Sequence, residues 1–460
     1  MADIGEDRRP LMLEDLAAHL ASGCKPETDF RVGSEHEKFI FRTGSYEPVA
    51  YEVDDQGRGG VHALLTGLER FGWSGVYEDN QFGHILIGLT RGGGNISLEP
   101  GGQFELSGAP LESVHDICEE IGQHLREAKV VAGELGLGFL GLGHAPVWTR
   151  SQIPVMPKGR YAIMRAYMPK VGGLGLDMMF RTCTVQANLD FASEADMSAK
   201  FRLSLALQPV VTALFANSPF IEGKPSGLLS SRARVWTDTD PARTGLLPFV
   251  FEDGFGFETY ARAALDVPMY FVKRGGRYID ASGQSFRAFM AGELPALPGE
   301  RPTLKDWEDH LTTIFPEVRL KTYLEMRGAD TGPPGMLCAL AALWIGLLYD
   351  PAAQAAAWDV CKAWTGEERE RLRVDAAALG LKAKVAGRTV REVACDVLAI
   401  AREGLRRRDR RNGAMTDETG YLAVLEEIVD SGRTPAERWL DLYNGAWRGE
   451  VTPVYEAAAY

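Results

Sequence analysis

Three acidic segments carry residue types and spacings from which chemistry can be built. They are Gly33-Ser-Glu35-His-Glu37-Lys-Phe39, Ser97-Leu-Glu99-Pro-Gly-Gly-Gln103-Phe-Glu105-Leu106 and Tyr323-Leu-Glu325-Met-Arg327. In extended chain, side chains two apart point to the same side, so Glu35 joins Glu37, Gln103 joins Glu105 and Glu325 joins Arg327. Pro100 interrupts the register between Glu99 and Glu105. Carboxylates crowded on one wall repel each other and drift toward protonation unless a divalent cation keeps them ionised. Oxygen-only ligation suits magnesium, with manganese as the alternative, and magnesium in such sites usually accompanies nucleotide phosphates. The pattern points to an ATP-dependent enzyme. The bland reading of Glu35 and Glu37, a charged edge strand in water, is disfavoured because Phe39 and Phe41 share their face. Glu325 and Arg327 read equally well as a cross-strand ion pair.

Cationic candidates lie elsewhere. Ser230-Ser-Arg232-Ala-Arg234-Val-Trp236-Thr-Asp-Thr-Asp240-Pro-Ala-Arg243 sets three arginines and a tryptophan in a stretch, 222 to 245, that reads as a loop, and arginine's planar fork matches carboxylate and phosphate oxygens. A second positive stretch holds Lys158, Arg160 and Arg165; either stretch is placed to face ATP. The glycines at 92 to 94, 101 and 102 form no phosphate-binding fingerprint, since neither a Walker motif nor G-x-G-x-x-G opening a helix is present. The arginines between Arg402 and Arg411 close a helical pattern before Gly413 and read as a solvated helix end. A net charge of -13 argues further against a nucleic-acid binder. The eight histidines show no zinc spacing and the six cysteines no C-x-x-C, so the expectation is scattered, reduced thiols.

Several elements must position these groups. Residues 31 to 42 read as the first strand. Residues 178 to 191 alternate as a second, with Arg181, Cys183 and Val185 on one face and Thr182, Thr184, Gln186 and Asn188 on the other, a row suited to a polar ligand. Helical patterns occupy 11 to 21, 60 to 71, 111 to 135 and 195 to 216. Beyond Pro333 the pattern is almost all helix, through 336 to 349, 352 to 364, 367 to 378, 388 to 411, 418 to 431 and 435 to 443. No repeat or linker divides the 460 residues. A single catalytic unit follows, with a sheet-containing core at 1 to 332 and a helical region at 333 to 460 packed on it. The apolar stretch from Gly335 to Tyr349 is too short for a membrane crossing, which needs about 20 residues. The acidic, polar N-terminus resembles neither a signal nor a transit peptide, so the expected location is the cytoplasm.

The acidic segments, together with Met156 to Arg160, Asp177 to Gln186, Leu207 to Pro219, Trp236 to Gly245, Leu265 to Val272 and Trp307 to Asp330, resemble glutamate-cysteine ligase of the plant and proteobacterial type, within the carboxylate-amine ligases related to glutamine synthetase. The resemblance implies an α+β fold with a curved, largely antiparallel sheet forming a funnel-like active site, surrounded by helices. It implies ATP-dependent joining of the glutamate γ-carboxylate to cysteine through a γ-glutamyl phosphate, the first step of glutathione synthesis. Glutamate, cysteine and ATP would be the partners, with no nucleic acid or membrane, in a monomer or homodimer. Plant members carry a regulatory cysteine pair where this chain has Ala281 and Ala296, so that switch is not carried over.

Fitted to those roles, Glu35, Glu37, Glu99, Glu105 and Glu325 are the metal-ligand candidates. Arg232 and Arg234 would clamp substrate carboxylate, Thr182, Thr184 and Gln186 would orient substrate, and Arg243 or Arg327 would balance phosphate charge. Arg181 and Trp236 complete the substrate-binding set, and Tyr270, Phe271 and Trp236 are candidates for a thiol pocket. Two enzymatic alternatives stay open: a γ-glutamyl ligase with another amine acceptor, and a two-metal phosphoester hydrolase.

Overall fold

A computed structural model describes residues 9–460. Its organising element is strand β1, Val32–Arg42, eleven residues long. The other strands of the main sheet are β2 (Ser74–Asn80), β3 (Gly83–Arg91), β4 (Gly94–Leu98), β5 (Phe104–Ser107), β6 (Leu137–Leu140), β7 (Thr184–Leu189), β8 (Val318–Leu320) and β9 (Leu324–Asp330). They run β8-β9-β7-β1-β5-β4-β3-β2, with β6 paired to the far half of β1. Every pairing in this nine-stranded sheet is antiparallel. The chain is therefore α+β, as the resemblance implied.

Alternation along β1 decides the faces. His36 and Lys38 are fully buried on the covered side, where Lys38 lies over the Phe104 ring, whereas Glu35 and Glu37 turn to the open side. The covered side packs against long helices, among them Val114–Glu134, Glu194–Leu214 and Pro334–Leu348. Met336 to Leu348 is buried throughout, so the most apolar segment is a core helix. No single helix among the described residues is long and apolar enough to cross a membrane. One hydrophobic cluster contains Val185 and Leu205 as well as Leu340 and Leu398, so the sheet and the helical region share a core.

Most predicted elements recur within a few residues, but two do not. Residues 175–181 are helical, not strand, and the strand begins only at Thr184. Asp177 and Arg181 are ion-paired across one helical turn there, a contact that an alternating pattern conceals. The supposed loop at 222–245 contains the helix Ser231–Trp236, capped by the Ser230 hydroxyl, which accepts from the Ala233 N–H at 3.0 Å.

The expectation of uniformly reduced thiols also fails. Cys118 and Cys338, 220 residues apart in sequence, form a disulfide with their Cα atoms 5.6 Å apart. They sit on the Val114–Glu134 and Pro334–Leu348 helices, which pack side by side, and no local spacing announces such a pair. Cys24, Cys183, Cys361 and Cys395 are free.

Candidate active site

The open face of the sheet lines a cavity of about 640 Å3. Cross-strand register assembles its acidic wall: Glu37 stands opposite Glu105, Glu105 opposite Ser97, and Glu35 opposite Gln186. Directly opposed side chains lie about 5 Å apart at Cβ, so distant parts of the chain supply adjacent carboxylates. Each carboxylate has some support. Asn188 Nδ2 donates to Glu35 at 2.7 Å, the Thr184 N–H to Glu37 at 2.9 Å and the Ser97 hydroxyl to Glu105 at 2.6 Å. Glu99 also lines the cavity, from the turn after β4, where the Gly102 N–H bonds the Glu99 carbonyl at 2.9 Å. Gly102 has φ +82°, a conformation that glycine adopts without strain.

This support does not offset burial and mutual repulsion. Burial, then repulsion from Glu105 and Glu325, pushes Glu35 up to about 7. Burial with Glu105 and Glu99 nearby raises Glu37 well above the ordinary carboxylate value, and burial with Glu99 raises Glu105. Among the described residues no three His, Cys, Asp or Glu side chains stand close enough to form a ready-made metal cage.

Glu325 differs. It is fully buried and stands outside the cavity lining, ion-paired to Arg319, to Lys321 at 2.8 Å and to Arg327 at 3.5 Å. Burial alone would raise it, but the three cations outweigh burial and hold it well below the ordinary carboxylate range. Arg319, Lys321 and Arg327 themselves line the cavity. Arg327 donates to Gln186 Oε1 at 2.7 Å, and Arg232 donates to the Arg327 carbonyl at 2.7 Å, which brings a fourth cation to this wall.

Of the other sequence candidates, Thr182, Thr184, Gln186, Arg232 and Trp236 line the cavity. The threonine hydroxyls are engaged, Thr182 with the Met178 carbonyl at 2.7 Å and Thr184 with the Ala329 carbonyl at 2.8 Å, so they offer ligands only lone pairs. Arg181, Arg234 and Arg243 are not brought to the cavity. Arg181 pairs with Asp177 at 2.7 Å and Glu222 at 2.6 Å. Arg234 is exposed and bonds Thr237. Arg243 is buried against Asp240 at 2.6 Å, donates to the carbonyls of Thr313 and Pro268, and lies 3.8 Å above the Tyr270 ring. Its donors are spent on holding chain segments together. Phe271 reaches the cavity and Tyr270 does not.

Arg319 and Lys321 are cavity-lining residues that the sequence pattern does not single out, whereas Asn188 belongs to the expected polar row and Arg160 to the expected cationic stretch. Arg319 and Lys321 are two apart, and Arg319 stands opposite Glu325 across a short hairpin. The alternation of Arg-x-Lys before Glu-x-Arg was the available signal. Arg160 lines the cavity, with its Nε buried and unpartnered. Burial opposes its charge, but Tyr161 and Glu99 outweigh burial and raise its proton affinity.

The model of glutamate-cysteine ligase family 2 (GCS2) matches residues 31–457. The chain belongs to this family. Among curated relatives, the chloroplastic glutamate-cysteine ligase of Arabidopsis thaliana is 57% identical over 452 residues, spanning 98% of this chain and 83% of that one. Chloroplastic glutamate-cysteine ligase B of Oryza sativa subsp. japonica is 56% identical, spanning 98% and 88%. A glutamate-cysteine ligase from Francisella tularensis, solved in complex with AMP, shares the fold with a TM-score of 0.52 at 12% identity, over 93% of this chain and 87% of that one. These plant relatives overturn the expectation of a cytoplasmic location, because they are chloroplastic and point to a plastid. The polar N-terminus carried no information on location, and residues 1–8 lie outside the described residues.

Proposed function

We propose that this family member joins the γ-carboxylate of L-glutamate to the amine of L-cysteine at the expense of ATP, in one cavity with an acidic and a cationic wall. The observation that carries this reading is the meeting of two unlike charge clusters in one cavity: Glu35, Glu37 and Glu105 carry raised proton affinities, while Glu325 gathers Arg319, Lys321 and Arg327. Glu35, Glu37, Glu99 and Glu105 would hold magnesium, which when bound neutralises nucleotide phosphate charge. Arg319, Lys321 and Arg327 would orient phosphate oxygens, and Arg232 would clamp the glutamate α-carboxylate. In the first step a glutamate γ-carboxylate oxygen takes the ATP γ-phosphoryl group and ADP leaves. In the second, the cysteine amine attacks the acyl carbon, the C–O bond to phosphate breaks, and the amine loses a proton. Positioning and charge neutralisation supply the catalysis, and no side-chain nucleophile is called for.

The acceptor site would lie along the apolar part of the lining, which includes Trp236, Phe271, Met164 and Met179. Polarisable sulfur and aromatic surfaces suit a small thiol side chain. The test is release of ADP in mixtures that each omit one component. Release should require glutamate, cysteine, ATP and magnesium together. Equal rates with another amine in place of cysteine would overturn the acceptor, and release without magnesium would overturn the metal.

A further inference from the structure

Asp330, the last residue of β9, is a buried carboxylate outside the cavity lining. Its Oδ2 accepts from the Asn217 N–H at 2.9 Å and from the Ser218 hydroxyl at 2.6 Å, and its Oδ1 accepts from the Ser230 hydroxyl at 2.8 Å. Both serines pass the contact onward. Ser218 Oγ accepts from the Arg232 N–H at 3.3 Å, and Ser230 Oγ accepts from the Ala233 N–H at 3.0 Å, capping the helix that carries Arg232 and Trp236. A hydroxyl that gives its one proton to a carboxylate keeps only lone pairs for its other neighbours. The Asp330 charge therefore fixes both serines as acceptors toward that helix.

The surrounding backbone is built closely around this group. A Cβ on Gly143 would come within 2.3 Å of Asp330 Cγ, so no larger residue fits there without displacement. On the strand side, the Thr184 hydroxyl donates to the Ala329 carbonyl at 2.8 Å and lies 3.1 Å from the Arg327 carbonyl, which receives Arg232 Nη2. Arg232 is thus held at both ends: its backbone through Ser218 to Asp330, and its guanidinium on Arg327. Burial raises the proton affinity of Asp330, while the Arg232 charge and three hydrogen bonds oppose that rise.

We propose that Asp330 is a positioning residue for the ligase reaction, its charge relayed through Ser218 and Ser230 to set Arg232 at the cavity wall. The inference rests on the reading of Arg232 as the glutamate clamp. It is tested with Asp330→Asn and Arg232→Lys, singly and together, by measuring kcat and the KM of each substrate. Asn preserves volume, but its amide nitrogen cannot accept from the Asn217 N–H or from a serine. Asp330→Asn is expected to raise the KM for glutamate about tenfold while the KM for ATP changes less than about threefold, and to add less than about threefold in the Arg232→Lys background, as coupled neighbours do. Losses that multiply, or KM values for glutamate and ATP that rise together, would overturn the proposal in favour of a general structural role. If Arg232→Lys alone leaves the glutamate KM unchanged, the clamp reading fails and this inference with it. Should Asp330→Asn not fold, Ser230→Ala removes one relay, and a KM for glutamate raised about threefold is then the supporting result, an unchanged KM the contrary one.

Discussion

Two groups of buried or half-buried glutamates on one sheet have opposite properties. Glu35, Glu37 and Glu105 hold protons more tightly than ordinary carboxylates, whereas Glu325, on a strand of the same sheet, holds its proton far less tightly. Burial pushes all four the same way, so their neighbours make the difference. Glu325 meets three cations, and the other three meet mainly carboxylates: one another, Glu99 and, for Glu35, Glu325 itself. One group is matched by cations of the polypeptide, and in the other carboxylate repulsion outweighs the cations nearby. In the function proposed above, the same residue type would serve two purposes: Glu325 would build a phosphate-facing wall by gathering cations, and the acidic wall would stay poised for a metal.

The largest expected effect breaks the poised wall. Glu37→Gln removes a carboxylate from the centre of that group, and turnover should fall at least ~10³-fold, a barrier increase of ~4 kcal/mol. Thermal unfolding should be unchanged or shifted slightly upward, because the substitution relieves repulsion from Glu105 and Glu99. Activity within tenfold of the parent would take Glu37 out of the metal site.

Glu325→Gln breaks the completed group and should have a different signature. Three buried or half-buried cations lose their counter-charge, a change that typically costs about 3–5 kcal/mol, so this variant should unfold at lower denaturant concentration. Stability equal to that of Glu37→Gln would erase the distinction between the walls.

Protons sharpen the comparison more gently. Glu35 rises from 4.5 to about 7 on folding, so between those values the folded protein holds a proton that the unfolded chain has released. Stability of the metal-free protein should therefore fall as pH increases across that window. Glu325 acts in the reverse sense, contributing stability above the ordinary carboxylate pKa that is lost as pH falls below it. Magnesium should flatten the first slope and leave the second unchanged. Urea midpoints against pH, with and without magnesium, measure both; a magnesium-insensitive slope between 4.5 and 7 would count against the poised wall.

The acidic wall was legible in the sequence because strands have a fixed two-residue period and Glu35, Glu37 and Glu105 follow it. The helices beyond Pro333 were legible for the same kind of reason. What escaped was set by long-range packing. Nothing near Cys118 predicts Cys338, and nothing in Glu325-Met-Arg327 says that Arg319 and Lys321 would share its charge. Arg243 was mistaken for a ligand-facing group because composition alone cannot show that its donors are consumed by Asp240 and two carbonyls.

Arg232 and Arg234 give the smallest expected effect and a sharp geometric one. In extended chain two arginines two apart share a face, and a joint clamp follows. Within the helix Ser231–Trp236 the same separation turns side chains by about 200°, to nearly opposite sides. Arg232 accordingly lines the cavity while Arg234 is exposed and bonds Thr237. Arg234→Ala should alter stability by less than ~0.5 kcal/mol, as exposed substitutions do, and leave the KM for glutamate unchanged. A loss of glutamate affinity in that variant would mean that the segment is extended when substrate binds, and that the helix does not decide which arginine reaches the cavity.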